Sequence, residues 1–148
     1  MYKMFFLFMV TISVQSNLFS QHKMTWNDLT DVTFNKVYSA AYDDFFLKPT
    51  FGSSVKSYRG VLIRVKGYFL DFSTDEDQFH LLSKNPMSSC FFCGGAGPET
   101  IIEVVYKQKP NFKTDQIVEV TGILELNTDD VDHCNYIIKE ATGKLINK

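Results

Sequence analysis

The sequence predicts an all-β fold, a small five-stranded barrel of the OB type with an N-terminal edge strand or hairpin. From Gly60 onward, apolar and polar residues alternate with period two, in runs separated by turn residues. This alternation is typical of strands with one buried face. No segment shows helical periodicity over three turns. Strands with such short connections favour a closed or half-closed barrel, and a β-sandwich is the alternative fold.

The first barrel strand is predicted in GVLIRVKGYFLDF, residues 60–72. Its first half places alternate aliphatic side chains on one face. Gly67 then interrupts the run, and glycine inside a strand often marks a bulge. We expect a bulge there to shift the alternation, so that Tyr68, Leu70 and Phe72 turn inward.

Four more strands complete the predicted barrel. They are QFHLLS (78–83), TIIEVVYK (100–107), IVEVTGILELN (117–127) and YIIKEA (136–141). The link between the third and fourth strands, QKPNFKTD, is too short for the helix that an OB-fold usually has there. Ahead of the barrel, an aromatic-rich region is expected to add an edge strand or hairpin around residues 32–39, and Pro49 and Gly52 mark its turn away.

Residues 1–20 have the features of an export signal. A short cationic start containing Lys3 precedes an apolar stretch from Met4 to Val14 and then a polar end. The apolar stretch is shorter than the roughly 20 residues that span a bilayer. We therefore expect cleavage near Ser20–Gln21, no membrane span afterwards, and a periplasmic or secreted single domain over residues 21–148.

The charge of the chain argues against nucleic-acid binding. The formal net charge is −2 over all 148 residues. Loss of the leader would leave 14 basic and 17 acidic residues, a net charge of −3. Proteins that bind nucleic acid need clustered lysine and arginine to replace the counterions of phosphate, and this chain has no such cluster.

The cysteine loop SSCFFCGGAGPE, residues 88–99, is the main candidate site. Cys90 and Cys93 have the Cys-x-x-Cys-Gly spacing of a zinc knuckle, in which two thiolates face one ion and glycine permits a tight turn. Met87 continues the three-residue spacing as a further soft sulfur donor, which suits Cu(I) as well as zinc. The predicted cofactor is therefore zinc or copper, if the site holds a metal.

A knuckle supplies two ligands, so the rest of the set must come from another loop. If neighbouring strands connect as hairpins, the 84–100 loop and the 128–135 loop share one end of the barrel. The second loop contains His133 and Cys134. Neighbouring side chains on an extended chain point apart, so we expect one of these two to face the first loop.

Two other states of the cysteines remain open. A disulfide within the Cys90–Cys93 pair would contribute about 2 kcal/mol, and one from either residue to Cys134 about 4 kcal/mol, because the second closes a longer loop. Dithiol catalysis ranks third, because the glycines after Cys93 would break the helix that a thioredoxin-like motif needs. No nucleophile triad, carboxylate pair or phosphate-binding glycine loop indicates an enzyme.

Between Trp26 and about Ala141 the chain resembles a family of small exported bacterial proteins catalogued as a domain of unknown function. The segments that carry the resemblance are W..L..V.F from Trp26, PTF, RGVLIRVKGYFLDF, FHLLSKNPMSSCFFCG and VEVTGILEL. The resemblance implies an OB-like barrel with a cysteine-bearing loop, and a role as an accessory of envelope transport or metal handling. The Cys-Phe-Phe-Cys-Gly version is similar to proteins of the Bacteroidetes lineage.

Two functional hypotheses follow from these patterns, and a thiol oxidoreductase is the third. The leading hypothesis is a non-enzymatic metal-binding accessory that uses Cys90, Cys93 and either Cys134 or His133. The second is a protein–protein adapter of an envelope transporter, or of another periplasmic protein, with a structural disulfide. The adapter hypothesis rests on an apolar docking patch, and the aromatic residues expected to form it are Phe45, Phe46, Phe51, Phe91 and Phe92.

Overall fold

The structure, a computed structural model, describes residues 21–146. The predicted signal peptide, residues 1–20, lies outside this part of the chain. The described strands, in chain order, are β1 (His22–Lys23), β2 (Val32–Ser39), β3 (Asp44–Phe51), β4 (Leu62–Asp71), β5 (His80–Ser83), β6 (Ile101–Tyr106), β7 (Ile117–Leu126) and β8 (Tyr136–Leu145). A one-turn helix, α1 (Ser53–Lys56), and four short 3-10 turns complete residues 21–146.

Strands β4 to β8 close a barrel. Strand β4 pairs antiparallel with both β5 and β7, β5 with β6, and β7 with β8, while β6 and β8 run parallel. The order β4-β5-β6-β8-β7, which returns to β4, is the strand order of an OB barrel. The predicted fold class is therefore confirmed. The link from β6 to β7, residues 107–116, contains no helix, as its length predicted.

The barrel interior is built from the alternating positions that the sequence indicated. On β4, Ile63 and Val65 are fully buried, and on β7 Val118, Val120 and Leu124 are as well. Each side chain removed from water in this way contributes about 1.5–3 kcal/mol to folding. No helix within residues 21–146 has the length and hydropathy needed to cross a membrane.

Gly67 does not form the predicted bulge, and the expected inward turn of Tyr68, Leu70 and Phe72 is wrong. Strand β4 pairs with β7 in continuous register through Gly67. The alternation is therefore unbroken, and the next inward-facing residue after Gly67 is Phe69, which is buried. Glycine is needed for a different reason, because the Trp26 ring packs over this position. A Cβ on Gly67 would lie 2.9 Å from a Trp26 ring carbon and 2.6 Å from the Ser83 carbonyl oxygen.

The N-terminal region forms the predicted hairpin, and one end of it is fixed to the barrel. Strands β2 and β3 pair from Val32–Phe51 at the base to Ser39–Asp44 at the tip. At the base, Phe51 is buried and packs edge-on against Tyr136, with ring centroids 5.3 Å apart. Near the tip, Tyr38 of β2 and Phe45 of β3 are each about half exposed.

Replacement of Gly67 by alanine is expected to lower the free energy of unfolding by about 1–3 kcal/mol, because the new methyl group clashes with a carbonyl oxygen and an aromatic ring. Urea unfolding followed by circular dichroism measures this change. The control is Lys66→Ala, at an exposed neighbouring position, with an expected change of about 0.5 kcal/mol or less. A Gly67→Ala protein as stable as the wild type would contradict the close Trp26 contact.

Candidate functional site

The candidate site lies on the outer surface of the barrel, where strand register lines up one row of side chains. Leu70 of β4 is opposite Leu81 of β5, which is opposite Glu103 of β6. All three are almost completely buried although they face away from the barrel interior. The 84–100 loop covers the two leucines, and the 128–135 loop covers Glu103.

The side chain of Cys90 anchors the 84–100 loop. It is fully buried and forms a small apolar cluster with Leu70 and Leu81, separate from the barrel core. Two further hydrogen bonds hold the loop, one between its two ends and one near its start. The Lys84 amide donates to the Thr100 carbonyl (2.9 Å), and the Met87 amide donates to the Asp115 carboxylate (2.7 Å).

A 3-10 turn over Phe91–Cys93 brings the two cysteine sulfurs together. The Cys93 amide donates to the Cys90 carbonyl at 3.1 Å, and Gly94 ends the turn with a positive φ of 75°. The Sγ atoms of Cys90 and Cys93 are 3.8 Å apart, and the Cys93 thiol also donates to the Met87 carbonyl oxygen at 3.1 Å. All three cysteines in residues 21–146 are free thiols.

The electrostatics of the turn do not favour thiol catalysis. The hydrogen bond between the two cysteine side chains raises the pKa of the Cys93 thiol. Dithiol catalysts depend on the opposite shift, because the thiolate is the nucleophile. Cys93 is the accessible sulfur of the pair, so this shift acts on the group that a disulfide substrate would meet.

In the second loop, His133 and Cys134 are both bound to Glu103. His133 Nδ1 lies 2.8 Å from one carboxylate oxygen, and the Cys134 amide donates to the other at 3.0 Å. This hydrogen bond and the carboxylate charge raise the pKa of His133. Burial, together with the Glu103 charge, raises the pKa of the Cys134 thiol to about 12.

The four predicted metal ligands lie in two pairs, although Cys134 also packs against the apolar cluster that contains Cys90. Cys90 and Cys93 share a turn, whereas His133 and Cys134 are held by Glu103. No group of three or more histidine, cysteine, aspartate or glutamate side chains in residues 21–146 is arranged to hold a metal ion. A shared site for all four residues stays a prediction.

The two loops and the hairpin tip enclose a cleft of about 510 Å³. Side chains of the hairpin, of the cysteine loop and of the 128–135 loop line it, which agrees with the expected meeting of the two loops at one end of the barrel. The apolar residues of the lining are Phe45, Phe46, Leu47, Phe79, Phe91, Phe92, Pro98, Ile101 and Val131.

Two polar contacts join the β2–β3 hairpin to the 128–135 loop, which carries several aspartates. Lys48 Nζ is 2.6 Å from an Asp129 carboxylate oxygen, and the Tyr42 hydroxyl donates to Asp132 at 3.2 Å. Asp130, which also lines the cleft, forms no ion pair with another residue of the described chain. The rim of the cleft is therefore acidic.

Sequence reasoning identified part of this cleft. Phe45, Phe46, Phe91 and Phe92 of the predicted docking patch all line it, but Phe51 does not, because it is buried at the base of the hairpin. The sequence did not indicate Glu103 as a site residue, because it fits the alternation of an ordinary strand. Only the pairing of β6 with its neighbouring strands shows which loop covers it.

The fold and cleft define an all-β, OB-like barrel protein with a cleft outside the barrel. Comparisons with protein-family models and with curated proteins find no match. Among solved structures, the chain is similar to a DUF3299 family protein from Pseudomonas aeruginosa PAO1. The TM-score is 0.57 and the identity 11%, over 87% of this chain and 98% of the other. This likeness shows the fold, and the Bacteroidetes-type cysteine variant stays a prediction.

Replacement of Glu103 by glutamine is expected to lower the free energy of unfolding by about 1–2 kcal/mol, because one buried acceptor oxygen becomes an amide group that cannot accept from its present donor. The matched control is Glu125→Gln, at a half-exposed glutamate paired with Lys139 at 2.7 Å. Its expected loss is about 0.5 kcal/mol. Equal stability losses for the two variants, measured by urea unfolding, would contradict a special role for Glu103.

Proposed function

We propose that the chain is a non-enzymatic binding module, an exported adapter whose cleft receives an apolar and basic segment of a partner protein. The observation that carries this proposal is the concentration of exposed aromatic side chains around one cleft. Tyr42, Phe45 and Phe92 are each more than half exposed. Exposed apolar clusters on soluble proteins mark interaction sites more often than isolated apolar residues do.

The exposed aromatic residues form two groups, each of side chains in contact, and members of both groups line the cleft. Tyr38 packs edge-on against Phe45 in the hairpin, and Phe72 packs against Phe92 beside the cysteine loop. Phe91 and Phe92 also contact each other, with ring centroids 5.3 Å apart. Aromatic side chains of this kind supply much of the binding energy in protein interfaces, because they bury a large area with few rotatable bonds.

The size and shape of the cleft suit side chains of another protein. Its volume of about 510 Å³ is within the usual range for binding pockets, and it is open on one side. One or two large apolar side chains of a partner could enter it while the rest of the partner segment follows the rim. This arrangement is typical of an anchor residue in a docking site.

The charge of the rim specifies the partner further. Asp129 is neutralised by Lys48, whereas Asp130 and Asp132 lack a cationic partner among the described residues. A lysine or arginine next to the anchor residue would complement these carboxylates. A component of an envelope transport system with such a segment is the partner that we propose.

The test uses random 12-residue peptides displayed on phage and selected on the purified protein. We expect enrichment of peptides with an aromatic or aliphatic residue near a lysine or arginine. Synthetic copies should bind Phe92→Ala and Asp130→Asn proteins about tenfold more weakly than the wild type. The control Val105→Ala shortens an exposed apolar side chain that does not line the cleft, and it should bind normally.

Two results would overturn this function. One is a selection without enrichment, or with enriched peptides that bind Phe92→Ala as tightly as the wild type. The other is self-association of the wild type, measured by sedimentation, that Phe92→Ala abolishes, because the cleft would then bind a second copy of this chain.

A further inference from the structure

The Cys90–Cys93 turn has the geometry of two ligands on one metal ion. The two sulfurs are 3.8 Å apart. A metal–sulfur bond of about 2.3 Å places two ligands about 3.8 Å apart on a tetrahedral ion and about 4.0 Å apart on a three-coordinate ion. One ion can therefore bridge both sulfurs with the backbone of the turn as it stands.

The donors at the turn are sulfur atoms. Met87, three residues before Cys90, packs against the same apolar cluster. Thiolates and thioethers are soft donors and select Cu(I), which accepts a low coordination number. A structural zinc site takes four ligands, and residues 21–146 bring no third histidine, cysteine or carboxylate to this pair. The donor set therefore fits Cu(I) better than zinc.

The surroundings of the pair also suit a soft monovalent ion. Cys90 is fully buried against Leu70 and Leu81, which keeps water from one side of the site. Cys93 is at the surface, so an ion can reach the pair from solvent or from a donor molecule. The apolar shell disfavours strongly hydrated ions, because they would have to lose their water without replacement ligands.

We propose that Cys90 and Cys93 bind one Cu(I) ion, with the Met87 thioether as a third ligand. Two thiol protons leave to solvent as two copper–thiolate bonds form, the thioether adds a third copper–sulfur bond without losing a proton, and the oxidation states of copper and sulfur do not change. The site goes beyond the proposed adapter function and does not depend on it. The two functions are adjacent, since Phe91 and Phe92, which lie between the ligands, line the cleft.

The test is an anaerobic titration of the reduced, purified protein with Cu(I) in competition with bathocuproine disulfonate. We expect one Cu(I) per chain. Cys90→Ser and Cys93→Ser should each weaken binding by at least about 100-fold, because each removes a metal ligand. Met87→Leu, which conserves volume, should keep the stoichiometry and weaken binding by about tenfold.

Cys134→Ala is the matched control, because it removes the third thiol, which packs against the same apolar cluster but does not belong to the turn. It should bind Cu(I) with wild-type affinity, and X-ray absorption of the loaded wild type should show sulfur ligands alone. The proposal is overturned if reduced wild-type protein takes no Cu(I) from the chelator. It is also overturned if Cys90→Ser binds as tightly as the wild type, or if Cys134→Ala loses as much affinity as Cys90→Ser.

Discussion

The burial of the Cys90 side chain outside the barrel determines how the candidate site is built. Strand register places Leu70 and Leu81 side by side on the outer surface, and the 84–100 loop must cover them because exposed leucines favour burial. Cys90, which is fully buried, does so together with Met87. Once Cys90 is fixed, the following 3-10 turn directs Phe91 and Phe92 toward the cleft and brings the Cys93 sulfur beside that of Cys90.

Glu103 has the same role for the opposite wall of the cleft. A buried carboxylate needs hydrogen-bond donors, and it obtains them from the imidazole of His133 and the amide of Cys134. The loop fixed in this way presents its aspartates to the hairpin tip, where Lys48 and Tyr42 contact them. The cleft thus depends on two buried side chains, Cys90, which packs on Leu81 of β5, and Glu103, which lies opposite Leu81 on β6.

The sequence was sufficient for the fold because the barrel interior follows a local rule. Alternation along β4 and β7 identifies Ile63, Val65, Val118 and Val120 as interior residues from their neighbours in the chain alone. The prediction failed at Gly67. Glycine is required there because the ring of Trp26, 41 residues away in sequence, leaves no room for a side chain. The same difference between local and long-range contacts explains why only part of the site was predicted. The Cys90–Cys93 turn is local, whereas the pairing of Glu103 with His133 and Cys134 depends on which strands become neighbours.

The central claim is that Cys90 is a buried anchor and Cys93 an accessible sulfur on the same turn. Alkylation of the reduced native protein by iodoacetamide, followed by peptide mass spectrometry over time, tests it directly. Cys93 should be modified first, and Cys90 at a rate at least about 100-fold slower, set by opening of the loop or by unfolding. Modification of Cys90 as fast as Cys93, while circular dichroism shows an intact barrel, would contradict the anchored loop.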